Sequence, residues 1–140
     1  MKKTITKRKK IKKTLYDFED GNGPVPAHQH PNGEGWVAET SRVEDSAFVG
    51  PDARVSGHAW VSGEAQVYGN AKVSGEAWVY GNAKVSGDAQ VYGNARVFEN
   101  AQVYGNAKVS GEAWVYGNAQ VYGHVEVSGS SRLFGDVVLN

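Results

Sequence analysis

The stretch AKVSGEAWVYGNA occupies residues 71–83 and returns unchanged at residues 107–119. It is two copies of one hexad, A-x-V-[SY]-G-[NED], and that hexad holds one register through most of the chain. Every sixth residue from Val37 to Val127 is valine, continued by Leu133 and Leu139, and the residue two places earlier is alanine from Ala47 to Ala119. A period held this long is the mark of a stacked-repeat architecture. An α-helix cannot carry it: six residues turn a helix by about 600°, which scatters the valines over three stripes and puts a glycine in nearly every second turn. An extended strand fits. Residues i and i−2 share one face, so alanine and valine point inward together while their neighbours point outward. The glycine and the Asn, Asp or Glu after it then form a corner, because glycine and asparagine best tolerate the positive φ of a tight bend.

Each hexad is thus one short strand and one corner, and three hexads make one triangular coil, about 18 residues. Over residues 35–140 the sequence resembles the hexapeptide-repeat superfamily. The resemblance implies an all-β fold, a single-stranded left-handed β-helix of about six coils, carrying here an N-terminal basic arm and cap. More narrowly, runs such as AQVYGNA are similar to the small phage- and prophage-encoded hexapeptide proteins, for which the resemblance implies a fold and no established activity. The pattern departs from the common hexapeptide in placing Ser or Tyr directly after the aliphatic residue, with glycine one place later. A flattened coil of two hexads is the alternative, and it would align Tyr68, Tyr80, Tyr92, Tyr104 and Tyr116 in one column. Trp60, Trp78 and Trp114 are spaced by multiples of three hexads and favour three sides.

A chain of 140 residues suits one domain. The reading divides it into a basic arm (1–13), a capping or linker segment (14–34) and the repeat body (35–140). There is no cysteine, so disulfides and thiolate metal sites are excluded. The formal net charge of zero hides an asymmetry. Lys2, Lys3, Lys7, Arg8, Lys9, Lys10, Lys12 and Lys13 are eight of the fifteen basic residues, and no acid accompanies them. Positions 14–140 carry the other seven basic side chains against all fifteen acidic ones, a net of −8. The arm is expected either to be a solvated tail or to dock on an acidic protein surface or nucleic acid phosphates. Its start lacks the apolar run of a secretory signal and no stretch approaches transmembrane length. No membrane partner is expected, and the expected location is cytoplasmic: the host cytoplasm for a phage product, or a virion.

In residues 14–34, Leu15, Tyr16 and Phe18 form an apolar patch expected to plug the first coil, since terminal repeats need a cap. Pro24, Pro26 and Pro31 suggest a wrap poor in hydrogen bonds around the prism end. His28 and His30, one residue apart on an extended segment, point the same way as two metal ligands would. A third ligand is missing unless Asp20 or a neighbouring chain supplies it, so the competing reading is an exposed or cap-stabilising pair. No cofactor is predicted. Further on, the corners at Asp45 and Pro51 lack glycine and read as a capping coil, and Glu99 replaces the corner glycine in ARVFEN, where a slightly widened corner is expected.

Assigning hexads to three walls puts Arg42, Trp60, Trp78, Arg96, Trp114 and Arg132 in one outward column, beside Tyr80, Phe98, Tyr116 and Phe134. The wall that carries Trp36, Arg54, Lys72, Gln90, Lys108 and Glu126 is mostly polar, and the third mixes Phe48, Tyr68, Tyr104 and Tyr122 with polar residues. The aromatic wall reads as a self-stacking ladder, as an interface between identical chains, or as a sugar-stacking platform. At the other end Leu133, Val137 and Leu139 keep strand register with no cap after them, so this open end is expected to be covered by another chain.

Enzymes of the resembling superfamily include acyltransferases that use a histidine at trimer seams and hydratases that hold zinc with three histidines. Here His58 and His124 fall on corners of different prism edges, and no inserted loop, nucleophile–base pair or phosphate loop is present. The leading expectation is a non-enzymatic structural or interaction solenoid, phage-related, oligomeric through the aromatic face or the open end, with the arm reaching a partner. A minimal acyltransferase is the alternative from another class. A phage inhibitor sequestering a host factor or small ligand is the third.

Overall fold

The computed structural model describes residues 14–140; the basic arm, residues 1–13, lies outside the described residues. Strands β1 (Thr14–Asp17), β2 (Pro24–Gln29) and β3 (Trp36–Ala38) are followed by seventeen two-residue strands, from β4 (Arg42–Val43) to β20 (Val138–Leu139), one every six residues. No helix occurs among the described residues. From β3 onward each strand pairs in parallel with the strand three further along, setting Trp60 beside Trp78, Lys84 beside Gln102 and Gln90 beside Lys108. Three sheets result. The first has eight strands, running from β1 and β2 through β3 to β18 (Glu126–Val127); the second has six, from β4 to β19 (Arg132–Leu133); the third has six, from β5 (Phe48–Val49) to β20. The chain is therefore an all-β parallel solenoid of about six turns with 18 residues per turn. A coil of two hexads is ruled out: Tyr80 and Tyr116 follow strands of the second sheet, Tyr68 and Tyr104 of the third, and Tyr92 of the first.

The interior is the alanine and valine of each hexad. Valines from Val49 to Val121 and alanines from Ala47 to Ala119 are buried to 1% exposure or less. Such a core is narrow, and neighbouring coils hold one another through stacked backbone hydrogen bonds: Trp60 N–H to Ala77 O at 3.0 Å, Ser62 N–H to Val79 O at 2.9 Å, Glu64 N–H to Gly81 O at 2.9 Å. The last of these runs through the corner, so the ladder does not break where the chain bends.

Corners from residue 57 to residue 117 share one geometry. Glycine at the first central position has φ near 65° (Gly63, 64°; Gly93, 68°), and the next alanine N–H closes the turn, as in Ala65 N–H to Ser62 O at 3.3 Å. A positive φ at the first central residue alone is the sign pattern of a type II′ turn. Glycine is required for space as well, since a Cβ at Gly93 would sit 2.9 Å from Gly111 N. Glu99 does not widen its corner. It takes the same left-handed conformation, φ 59°, and its Oε1 accepts from Gly117 N–H at 2.9 Å.

The first coil turns differently. Its corners are closed by Ser41 N–H to Ala38 O, Ala47 N–H to Glu44 O and Ala53 N–H to Gly50 O, and none of its residues has a positive φ. Pro51, with φ fixed near −65°, suits such a turn. The backbone N–H groups of Thr40 and Ser46 then miss the glycine carbonyls below, and their hydroxyls replace them, donating to Gly57 O and Gly63 O.

Residues 14–34 form an antiparallel hairpin, with β2 pairing antiparallel to β3. This corrects the expected hydrogen-bond-poor wrap: Pro24 and Pro26 lie within a strand, and Pro26 O accepts from Glu39 N–H. It also corrects the plug. Phe18 is buried with Ala27 and Ala38 in a small cluster on the first sheet, Tyr16 packs against it, and Leu15 is 60% exposed. The third sheet is closed instead by residues 32–35, where Val49 N–H donates to Asn32 O and Gly35 N–H to Val49 O. Gly33 and Gly35 allow this approach, since a Cβ at Gly33 would stand 2.2 Å from Val49 O and one at Gly35 2.3 Å from Gly50 O.

Candidate interaction face

The second sheet carries the aromatic wall. Parallel pairing of every third strand places Arg42, Trp60, Trp78, Arg96, Trp114 and Arg132 in successive coils. The indoles of Trp60 and Trp78 stack at 5.1 Å and 6°. The Arg96 guanidinium lies between two rings, 4.6 Å from the centroid of Trp78 and 5.2 Å from that of Trp114. Arg42 covers Trp60 at 5.4 Å and Arg132 covers Trp114 at 4.3 Å. Cations therefore close both ends of this column and its one interior gap between rings. Such contacts are worth about 0.5–1 kcal/mol each at exposed sites.

A second column runs beside it. Tyr80, Phe98, Tyr116 and Phe134 stack at 4.9, 4.8 and 5.4 Å. The columns meet edge to face, with Trp78 against Tyr80 at 6.2 Å and Phe98 against Trp114 at 5.8 Å. Stacking along the prism axis occupies ring faces with neighbouring coils and turns ring edges outward. A sugar ring needs a free aromatic face, so the platform reading loses its geometry over most of the wall. Trp60 and Phe134 are the most open of these rings, at 41% and 55% exposure.

The other walls are polar by comparison. The third sheet has one stacked pair, Tyr104 and Tyr122 at 4.8 Å, with the Tyr104 hydroxyl donating to Gln120 Oε1 at 3.3 Å. On the first sheet the hairpin adds a cluster that the repeat pattern does not announce. Tyr16 stacks on Trp36 at 4.5 Å, Arg54 lies 5.5 Å from the Tyr16 centroid, and Arg54 reaches Glu19 at 3.4 Å. Only the alternation of Tyr16 and Phe18 hints at it.

The histidines are dispersed. His28 Nδ1 pairs with Glu39 Oε2 at 2.8 Å, whereas buried His30 bonds through Nε2 to Ala47 O at 2.8 Å. The two imidazoles thus serve different partners, and no group of three or more His, Cys, Asp or Glu among the described residues is placed to hold a metal ion. His58 and His124 are both exposed, on different corners. At the far end no strand lies beyond β18, β19 and β20 among the described residues, with Leu133 and Leu139 partly buried and Val137 40% exposed.

Residues 65–81, 89–101 and 101–117 match the family model described as YdcK beta solenoid repeat. The chain is a β-solenoid repeat protein. The matched stretches of the solenoid are regular coils, and one of them contains the Glu99 corner. No curated protein and no solved structure matches the chain.

Proposed function

We propose that this β-solenoid is a non-enzymatic structural or interaction protein, a phage-related member of the hexapeptide-repeat kind, that associates with further copies of itself through the outer edge of its aromatic and arginine ladder. The observation that carries this reading is the continuous strip of ring edges and guanidinium groups along one flat wall. Interface cores favour aromatic residues and arginine. Charge points the same way. Arg42, Arg96 and Arg132 stand on a body whose residues beyond position 13 carry a net −8, and the corners that flank this wall include Glu64, Glu76 and Glu112, so a second copy brings acidic groups to that strip. The basic arm then docks on an acidic partner surface.

Light scattering across low-micromolar to submillimolar concentrations tests the association. Mass should rise with concentration, and a lysine at Trp60 or Phe134, the most open rings, should weaken association at least about tenfold while circular dichroism stays unchanged. A single monomeric mass at every concentration for the unaltered chain refutes it.

A further inference from the structure

Strands β3, β4 and β5 make up the first coil at the capped end of the prism, and their inward valines occupy equivalent places: Val37, Val43 and Val49. In a parallel ladder successive residues direct their backbone groups to opposite sides. Arg42 and Glu44 donate to Ala59 O and Val61 O in the coil below, each at 2.9 Å, so the N–H and C=O of Val43 face the other way. The corresponding groups of Val49 are taken by Gly35 N–H and Asn32 O, and Val37 lies opposite His28 of β2. Among the described residues nothing pairs with Val43, and β4 is the end strand of its sheet. Val37 and Val49 are buried to 1% and 0%, whereas Val43 is only partly buried. Beside this bare edge lies a cavity of about 380 Å³, lined by His28, Ser41, Arg42, Glu44, Trp60 and Ser62. Val43 and Val61 line it too, so apolar and polar groups share its walls.

We propose that this edge is a strand-addition site that takes an extended segment of a partner protein with the order aromatic, aliphatic, basic. Strand addition to an exposed sheet edge draws affinity from main-chain hydrogen bonds and specificity from alternate side chains. The repeat itself dictates those side chains. A segment set in parallel about 4.8 Å above β4 continues each column by one rung. Over Val43 the inward position extends the valine core and takes an aliphatic residue. Over Arg42 the column calls for a ring: Arg96 is sandwiched between two indoles, while Arg42 has Trp60 on one side only. Over Glu44 charge calls for a cation. Its Oε1 accepts from Gly63 N–H at 3.0 Å, which leaves the second carboxylate oxygen for a lysine or arginine. This site shares Arg42 and Trp60 with the ladder but rests on the free backbone of β4, so it stands or falls without the association along the ladder.

The probe is the capped peptide Ser-Trp-Val-Lys-Ser, titrated into the full-length ¹⁵N-labelled chain. Saturable shifts are expected at Arg42, Val43 and Glu44, with at least about tenfold slower exchange of the Val43 amide once it gains a partner. Replacing the peptide's lysine by glutamate should weaken binding by about fivefold, and Glu44→Lys should reverse that preference. If Glu44→Lys fails to fold, the two peptides on the unaltered chain still decide the matter. No binding, or equal binding of both peptides, overturns the proposal. So does a Val43 amide that is already protected without peptide: protection at all concentrations assigns the edge to this chain's own residues, and protection that grows with concentration assigns it to a second copy.

Discussion

Replacing Arg96 by leucine tests whether the ladder holds the solenoid wall together. Arg96 lies in the middle of its sheet, between Trp78 at 4.6 Å and Trp114 at 5.2 Å. Leucine keeps an aliphatic stem against the indoles and removes the cation, so two contacts of about 0.5–1 kcal/mol are lost, about 1–2 kcal/mol in all. Lys84→Leu is the matched control, because Lys84 sits on a similar rung of the neighbouring wall, between Gln66 and Gln102 rather than between two indoles. That change should stay within about 0.5 kcal/mol. Urea unfolding followed by both circular dichroism and tryptophan fluorescence measures the two, and the transitions must coincide before a single free energy is assigned, since repeat arrays can unfold in parts. Equal losses for Arg96→Leu and Lys84→Leu would refute the argument: the rings would then stack without drawing on the guanidinium between them.

Two further substitutions probe the corner and the core. Glu99→Ala should destabilise by about 1 kcal/mol, because it keeps the left-handed strain and loses the bond to Gly117 N–H, while Glu99→Gly relieves about as much strain as it loses in bonding and should stay within about 0.5 kcal/mol of the unaltered chain, both read from urea midpoints. Val91→Ala removes two fully buried methyl groups from a core that cannot collapse between fixed coils, and thermal or urea unfolding should show a loss of about 2–3 kcal/mol.

The parts of the structure that the sequence makes legible are those that repeat. A six-residue period fixes which side chains face inward, and the spacing of Trp60, Trp78 and Trp114 by multiples of three hexads places them on one wall, as the parallel register confirms. What the period leaves open is how the rings use their faces, which depends on side-chain rotation and on what stands in the next coil. The hairpin is harder to read because its contacts are made against the first sheet rather than within a repeat. Tyr16 meets Trp36 and Arg54 only after β2 has folded back onto β3, and Leu15, equally apolar, turns outward because strand alternation leaves it on the other side. Val43 is invisible for a related reason. It obeys the repeat as well as Val37 or Val49, and it differs only in lacking a neighbour that the cap supplies to the other two.

Binding capacity in such a molecule follows from where rungs are missing. Inside the regular coils strand backbones pair with the coils beside them, and the rings of the tryptophan column are faced by a ring or a guanidinium, so a ligand seeking ring faces or backbone there must displace a contact that already exists. Ring edges remain free, which suits broad, flat association with modest energy per contact and a dependence on salt through Arg42, Arg96 and Arg132. The edge of β4 is the opposite case: small in area, yet offering an unpaired donor and acceptor in register with an aliphatic position and two charged ones. Burying that edge satisfies backbone groups that otherwise rely on water, so its occupant should depend on strand conformation first and on charge second. A cyclic or proline-substituted peptide that cannot extend should therefore lose binding even when it carries the same three side chains.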